Sequence, residues 1–255
     1  MSARRIVVAN QKGGVGKTTT SVNLASSLAV MEKKVLLVDC DPQGNASSGL
    51  NFFPGDERTT IYSVLFEPER AREALYSAEL PYLHIMPANQ DLVGAEIELI
   101  DKMGREYYIK ELVEKVQDDY DFIFFDCPPS LGLLTVNALC AATEMLVPLQ
   151  CEYYALEGVA HLLNTYELVK KRLNPDLKLL GVVLTMYDQR NRLSRQVRHE
   201  VRKTFPGHLF ESIVPRNVRL SEAPSYGKPV VTYDIKSSGA EAYLSLAQEV
   251  VKRIV

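Results

Sequence analysis

The sequence predicts a doubly wound α/β domain built on a mostly parallel sheet, and three observations lead to it. Apolar strand-like runs alternate with helical patterns along all 255 residues. The runs are continuously apolar, as befits strands covered on both faces. A glycine-rich loop joins the first strand to the first helix, at the strand ends where such sheets bind ligands.

Arg4 to Ala9 reads as a short buried strand, then the glycine-rich turn, then a helix from Thr18 to about Met31 with Val22, Leu24, Ala25 and Leu28 inward. Val35 to Val38 is the second strand. Further strands are expected at Leu83–Met86, Phe122–Phe125, Met145–Leu149 and Leu179–Leu184, and helices over 91–117, 131–142, 156–173, 192–204 and 239–253. Residues 50–80 are the least periodic, with short helices assigned around Thr60–Phe66 and Glu69–Tyr76. No repeat, low-complexity tract or linker interrupts the pattern, so a single domain over 1–255 is expected.

Composition narrows the class. The chain is 46% hydrophobic and 24% charged, which excludes disordered and fibrous proteins. Its longest uncharged stretch, Cys127 to Thr143, carries two prolines and several polar residues and falls short of a spanning helix. No signal peptide is read ahead of Arg4 and Arg5. Cys40, Cys127, Cys140 and Cys151 lie far apart without a C-x-x-C pair, which argues against zinc or disulfides and for a reducing cytoplasm. The net charge of −3 divides into −8 over residues 1–185 and +5 over residues 186–236. The basic block is either the solvated face of a helix, with Arg192, Arg195, Arg198, Arg202 and Lys203 at helical spacing, or a nucleic-acid surface. An acidic block at 91–121, ten acids against four bases, reads as a solvated helix face.

Lys12-Gly-Gly-Val-Gly-Lys-Thr18 sits between the first strand and the first helix, where backbone N–H groups cradle an anion. Gly13, Gly14 and Gly16 let the backbone wrap phosphates, with Val15 between them; Lys17 bridges the outer phosphates, Thr18 offers its hydroxyl to Mg²⁺, and Thr19 reaches the α-phosphate. The usual G-x-x-x-x-G-K-[ST] pattern fails, because Gln11 stands at its first glycine and a second lysine, Lys12, opens the loop. Phe122-Ile-Phe-Phe-Asp126 is an apolar strand ending in an acid, which is a turn former or, beside a phosphate loop, a ligand for Mg²⁺. Val38-Asp-Cys-Asp-Pro-Gln-Gly-Asn45 adds two acids at the second strand's end. Asp39 pairs with the loop or the metal shell; Asp41 orients the attacking water or merely caps the turn at Pro42.

KGGVGKTTT resembles the deviant Walker A subclass of P-loop NTPases, which includes ParA/Soj partition ATPases, MinD, the nitrogenase iron protein and dethiobiotin synthetase. Four segments narrow the resemblance to ParA/Soj: NQKGGVGKTTTSVNLA at 10–25, LLVDCDPQGNASSGL at 36–50, FFDCPPSLGLLTVNAL at 124–139 and VPRNVRLSEAPSYGKPV at 214–230. CEYYALEG at 151–158 and LTMYDQR at 184–190 match as well. The resemblance implies a cytoplasmic, nucleoid-associated ATPase that is monomeric without ATP and closes a sandwich homodimer with ATP and Mg²⁺, Lys12 reaching the partner's nucleotide. Non-specific duplex DNA and a ParB-like protein are the implied partners, the latter stimulating slow hydrolysis, often through a basic tail. Lys12, Lys17 and Asp41 are the implied catalytic residues, Thr18, Asp39 and Asp126 the metal residues, and Pro215 and Asn217 the adenine contacts. Arg190, with Arg219, Lys228 and Lys236, is the implied DNA surface, the solvated-charge reading remaining open for all four. An N-terminal helix-turn-helix domain is not expected. Two other classes stand beside this reading: a MinD-like membrane-associated positioning ATPase, and a metabolic enzyme using the same loop. No membrane contact is expected, and no extra acid–base pair marks a small-molecule acceptor site.

Overall fold

The computed structural model describes residues 3–53, 58–152, 155–205 and 207–254, with the backbone alone over 155–161. Tyr153 and Tyr154 of the CEYYALEG segment lie outside the described residues. Seven strands form one sheet: β1 (Arg4–Val8), β2 (Val35–Asp39), β3 (Tyr76–Ser77), β4 (Leu83–Met86), β5 (Phe122–Asp126), β6 (Glu144–Gln150) and β7 (Lys178–Thr185). Their order is β3-β4-β2-β5-β1-β6-β7, and every pairing is parallel except β3 with β4 at the edge. The expected doubly wound, mostly parallel sheet is therefore present.

The helices are α1 (Lys17–Val30), α2 (Asn45–Ser48), α3 (Ile61–Val64), α4 (Leu92–Glu98), α5 (Tyr108–Glu114), α6 (Leu133–Ala141), α7 (Ala155–Arg172), α8 (Arg192–Thr204), α9 (Val218–Glu222), α10 (Val230–Tyr233) and α11 (Ser238–Ile254). One sheet face packs Val7, Leu36, Val38, Ile123 and Phe125 against Leu92, Leu112, Leu134 and Leu162 from the helices of that layer. The other packs Ile6, Val8, Leu37 and Phe124 against Leu24 and Leu28 of α1 and Tyr243, Leu246 and Val250 of α11. Burial on both faces is why the strands carry no polar alternation. Thr20 of α1 meets the Tyr243 hydroxyl at 3.1 Å, so the two helices of this second layer share a buried polar contact.

Two expectations are corrected. The helix expected over 91–117 is two helices, α4 and α5, parted by a segment in which Gly104 takes φ 65°, a left-handed turn that ends helical propagation. In the 50–80 region the short helix assigned around Thr60–Phe66 is α3, whereas the one assigned around Glu69–Tyr76 is a 3₁₀ turn at Pro68–Ala74, and β3 comes next at Tyr76–Ser77.

The chain steps from β1 over to β2 and returns with β5 between them, then continues on the other side with β6, so the strand order reverses around β1 and β5. Asp39 and Asp126 are register partners at the carboxyl ends of β2 and β5. Beyond β1 the ladder to β6 is continued first by Ala9 N–H on the Leu146 carbonyl at 3.1 Å, then by the Asn10 side-chain amide on the Pro148 carbonyl at 2.8 Å. A side chain thus replaces backbone where the phosphate loop leaves the sheet. Pro148, which has no donor, is tolerated inside β6 because that edge faces the departing chain.

Candidate active site

Asn10 also starts the loop: its Oδ1 accepts the Lys12 backbone N–H at 3.1 Å. Gly14 and Gly16 adopt φ 73° and 88°, which side chains rarely tolerate. A Cβ at Gly13 or Gly14 would meet no atom within 4 Å, so the loop encloses open space rather than packed protein. Val15 is the buried hinge of the turn, its carbonyl accepting the Thr185 hydroxyl at 2.8 Å. The loop ends in α1, whose first residues Lys17, Thr18 and Thr19 bring free N–H groups to the same hollow.

The two lysines of the loop have different surroundings. Lys17 is buried, and its Nζ donates to the Lys12 carbonyl at 3.1 Å across the mouth of the loop. Burial holds its ammonium pKa below the ordinary range, against the opposing pull of Asp126, Cys127 and Asp41. Lys12 stands at the rim, half-exposed, ion-paired with Glu152 just after β6.

The carboxylates divide in the same way. Asp39 is fully enclosed: Oδ1 accepts the Asp41 N–H at 3.1 Å, and Oδ2 accepts the Ser47 N–H at 2.8 Å and its hydroxyl at 2.7 Å. Asp126 accepts the Ser21 hydroxyl on Oδ1 at 2.7 Å, while its buried Oδ2 has no partner among the described residues. Asp41 is buried, with Oδ1 accepting the Gln43 N–H at 2.9 Å in an Asx turn. That turn is the cap weighed from the sequence, and it leaves the second oxygen available.

Burial pushes the pKa of Asp126 up, and the neighbouring Asp39 charge adds to the push against the hydroxyls of Ser21 and Thr18. Burial likewise raises Asp39, opposed by Ser47 and Asp41 N–H. Two enclosed carboxyls and an unpartnered oxygen opposite a hollow lined by N–H groups and an ammonium fit a hydrated divalent cation bound with an oligophosphate. With both acids' pKa values raised on folding, the folded state keeps protons that the unfolded chain releases. Stability of the ligand-free protein should therefore fall as pH rises from the ordinary carboxylate range near 4 toward neutrality. Asp126→Asn should remove most of that slope and raise the ligand-free Tm at pH 7.5 by roughly 3 °C, on the order of 1 kcal/mol. Thermal denaturation across pH 5–8 checks this; a flat wild-type profile contradicts the assignment.

A cavity of about 300 Å³ adjoins the loop, lined by Gly16, Thr19, Thr185, Pro215, Asn217 and Tyr243 among others. Pro215 and Asn217, some 200 residues downstream, are thereby brought beside the phosphate loop. Asn217 caps α9 through its Oδ1, which accepts the Arg219 N–H at 2.9 Å, and its amide donates to Ser238 at 2.8 Å. Met186 lines the same cavity with φ 49°, an uncommon conformation for a side-chain-bearing residue.

Over residues 3–179 the chain matches a family model described as an AAA domain. The chromosome partitioning protein ParA of Myxococcus xanthus is 55% identical over 98% of this chain and 88% of its own length. The sporulation initiation inhibitor protein Soj of Bacillus subtilis is 53% identical over 96% of this chain and 97% of its own. The chain belongs to the ParA/Soj family of chromosome-partitioning ATPases. Among solved structures, cobyrinic acid a,c-diamide synthase of Mycobacterium smegmatis with bound ADP and magnesium superposes with a TM-score of 0.87 at 38% identity, covering 99% of this chain and 95% of that one.

As in the family's deviant loop, Gln11 stands where an ordinary P-loop has glycine, and Lys12, rather than the loop backbone, occupies the rim. Of the four cations expected to form a ParA/Soj DNA surface, Arg190, Arg219 and Lys228 are ion-paired. Arg190 is 92% exposed and paired with Asp188 at 3.1 Å, bordering a second cavity with Arg216 and Pro215. Arg219 pairs with Glu222 at 2.8 Å and Asp234 at 3.2 Å, and the Lys236 N–H donates to the same Asp234 at 3.2 Å. Lys228 approaches Glu79 at 3.5 Å. On α8, Arg198 and Arg202 both pair with Glu211. Sequence reasoning gave no role to Glu152, Ser21 and Ser47, although each stands in a segment that carries the resemblance, nor to Arg216, which borders both cavities.

Proposed function

We propose that this chain is an ATP-driven dimerising switch that binds duplex DNA without sequence preference and, with a ParB-like partner, segregates a chromosome or plasmid on the nucleoid. The observation that carries the reading is the unequal placement of two lysines on one loop: Lys17 buried in the hollow, Lys12 at its rim with Glu152 beside it. A rim lysine adds little to its own hollow and is positioned to reach a second copy's nucleotide. The relatives named ParA and Soj, and the ADP- and magnesium-bound neighbour, support ATP and Mg²⁺ as the ligands.

In this mechanism the N–H groups of Gly13, Gly14, Val15, Gly16, Lys17 and Thr18 cradle the phosphates, with Thr19 at the α-phosphate. Pro215 and Asn217 border the nucleoside. The Thr18 hydroxyl and Asp126 would hold Mg²⁺, with Asp39 behind them orienting the segment that carries Asp41. The metal, when bound, neutralises charge on the outer phosphates. Lys17 neutralises the same charge from within the subunit and Lys12 from across the dimer. Asp41 holds the attacking water through its free oxygen and accepts its proton as the water oxygen bonds to the γ-phosphorus and the bond from that phosphorus to the β,γ-bridging oxygen breaks, ADP leaving with the bridging oxygen. Hydrolysis is slow and is stimulated by the ParB-like partner.

Light scattering with ATP and Mg²⁺ tests the dimer; a chain that stays monomeric overturns the reading. For DNA, two weak cationic patches on one rigid dimer act at high effective concentration. Arg190→Ala should weaken binding on any sequence while sparing dimerisation. Each dimer loses two phosphate contacts, so the slope of log affinity against log salt should shrink by about two units. Fluorescence anisotropy of the ATP-bound protein on unrelated duplexes reads this, and adding Arg219→Ala should lower the slope further. An unchanged slope moves the surface to other cations of the 186–236 block.

A further inference from the structure

α4 buries Leu92, Ala95 and Leu99 against the sheet layer, as an amphipathic surface helix does. Its opposite side is apolar as well. Val93, Ile97, Ile100 and Met103 are 52%, 67%, 54% and 95% exposed. Val93, Ile97 and Ile100, four and three residues apart over α4 and the turn after it, share one face, and Met103 follows past the end of the helix. Single exposed apolar residues are ordinary, but an aligned row of three followed by an almost fully exposed methionine is a surface waiting for a partner.

The rim of the stripe is acidic. Asp91, Glu96, Glu98 and Asp101 surround it, and none of the four is ion-paired among the described residues. Lys102 is the only basic residue between 91 and 103, and its ammonium lies over the Phe66 ring at 5.6 Å. A solvated helix face would carry mixed charges without the apolar row; this face carries an apolar row and one sign of charge.

The stripe is also tied to both loops that face the phosphates. The Glu96 carboxylate lies where a side chain on Gly132 would stand, in the segment just after Asp126. Ser47, whose hydroxyl donates to Asp39, accepts the N–H of Ala88 at 3.0 Å just ahead of α4, and a Cβ at Gly44 would lie 2.9 Å from the Ala88 carbonyl. Displacing α4 therefore disturbs the loop carrying Asp41 and the loop after Asp126 together.

We propose that the Val93–Met103 stripe is a docking surface for a basic, amphipathic helical segment of another protein, and that occupancy of it is read at the nucleotide through the Ala88 and Gly132 contacts. The proposal rests on the partner-stimulated reading above and assigns the partner's place on this chain.

The test uses the full chain with a labelled synthetic helical peptide about five turns long, leucine on one face and lysine on the other. A scrambled peptide of equal composition and a glutamate-for-lysine version serve as controls. The leucine–lysine peptide should bind at least about tenfold more tightly than either control, and Ile97→Ser/Met103→Ser should lose at least about tenfold in affinity. Asp91→Asn/Asp101→Asn should lose salt dependence. Hydrogen exchange should slow over residues 92–103, and ATP hydrolysis should rise with the peptide on the wild type but not on the serine variant. Equal binding of the scrambled peptide, protection elsewhere, or an unaffected serine variant overturns the proposal. So does loss of ATP-driven dimerisation in the serine variant, which would make the stripe a contact between copies. A wild-type chain that fails to dimerise with ATP defeats the switch reading instead, while peptide binding without ATP still reports on the stripe.

Discussion

Lys17→Ala should abolish productive ATP binding, with affinity falling at least about 100-fold, or about 2.7 kcal/mol. Lys12→Ala, five residues away, should retain most nucleotide affinity and fail to form the closed dimer. The difference comes from placement: the Lys17 ammonium lies in the hollow, 3.1 Å from the Lys12 carbonyl, whereas the Lys12 side chain points along the rim toward Glu152. Removing Lys17 leaves bound phosphates uncompensated inside a buried site, and removing Lys12 leaves an exposed Glu152 without its cation. Nucleotide titration with light scattering on both variants checks this. A Lys12→Ala chain that dimerises normally with ATP removes the crossing role.

Asp41→Ala should bind ATP and Mg²⁺ yet hydrolyse at least tenfold more slowly, a barrier higher by about 1.4 kcal/mol or more. The phosphate cradle is untouched by the change, so the expected product is a trapped dimer. What Asp41 does structurally is modest: one hydrogen bond, 2.9 Å from the Gln43 N–H, which Asn would preserve. Asp41→Asn therefore separates cap from catalyst. Hydrolysis near the wild-type rate in Asp41→Asn with loss in Asp41→Ala would mean that Asp41 only shapes the turn.

The strands were legible because burial on both faces leaves a parallel strand no polar position, as in Phe122–Asp126. The same logic misled at 91–117. The outward row of Val93, Ile97 and Ile100 supplies helical periodicity on the wrong face, and the break near Gly104 follows directly on it. β3 is two residues long and carries no period at all. At the site, the loop and the strand-end acids were readable because backbone geometry and metal chemistry restrict which residues serve there. Ser47 and Glu152 were not, since a hydroxyl on Asp39 from eight residues on, or a carboxylate facing Lys12 from 140 residues on, is fixed by tertiary placement alone.

The Lys12–Glu152 pair bears on how the protein should respond to ionic strength. In the proposed dimer Lys12 would give up one anion to gain another, so closure would be an exchange of counter-charges with little net release of small ions. DNA binding would likewise draw Arg190 from Asp188 and Arg219 from its carboxylates, but it would also shed a condensed ion for each phosphate covered. Raising the salt should consequently strip the closed dimer from DNA long before it opens the dimer, separating the two halves of the cycle by a variable that touches neither nucleotide nor partner.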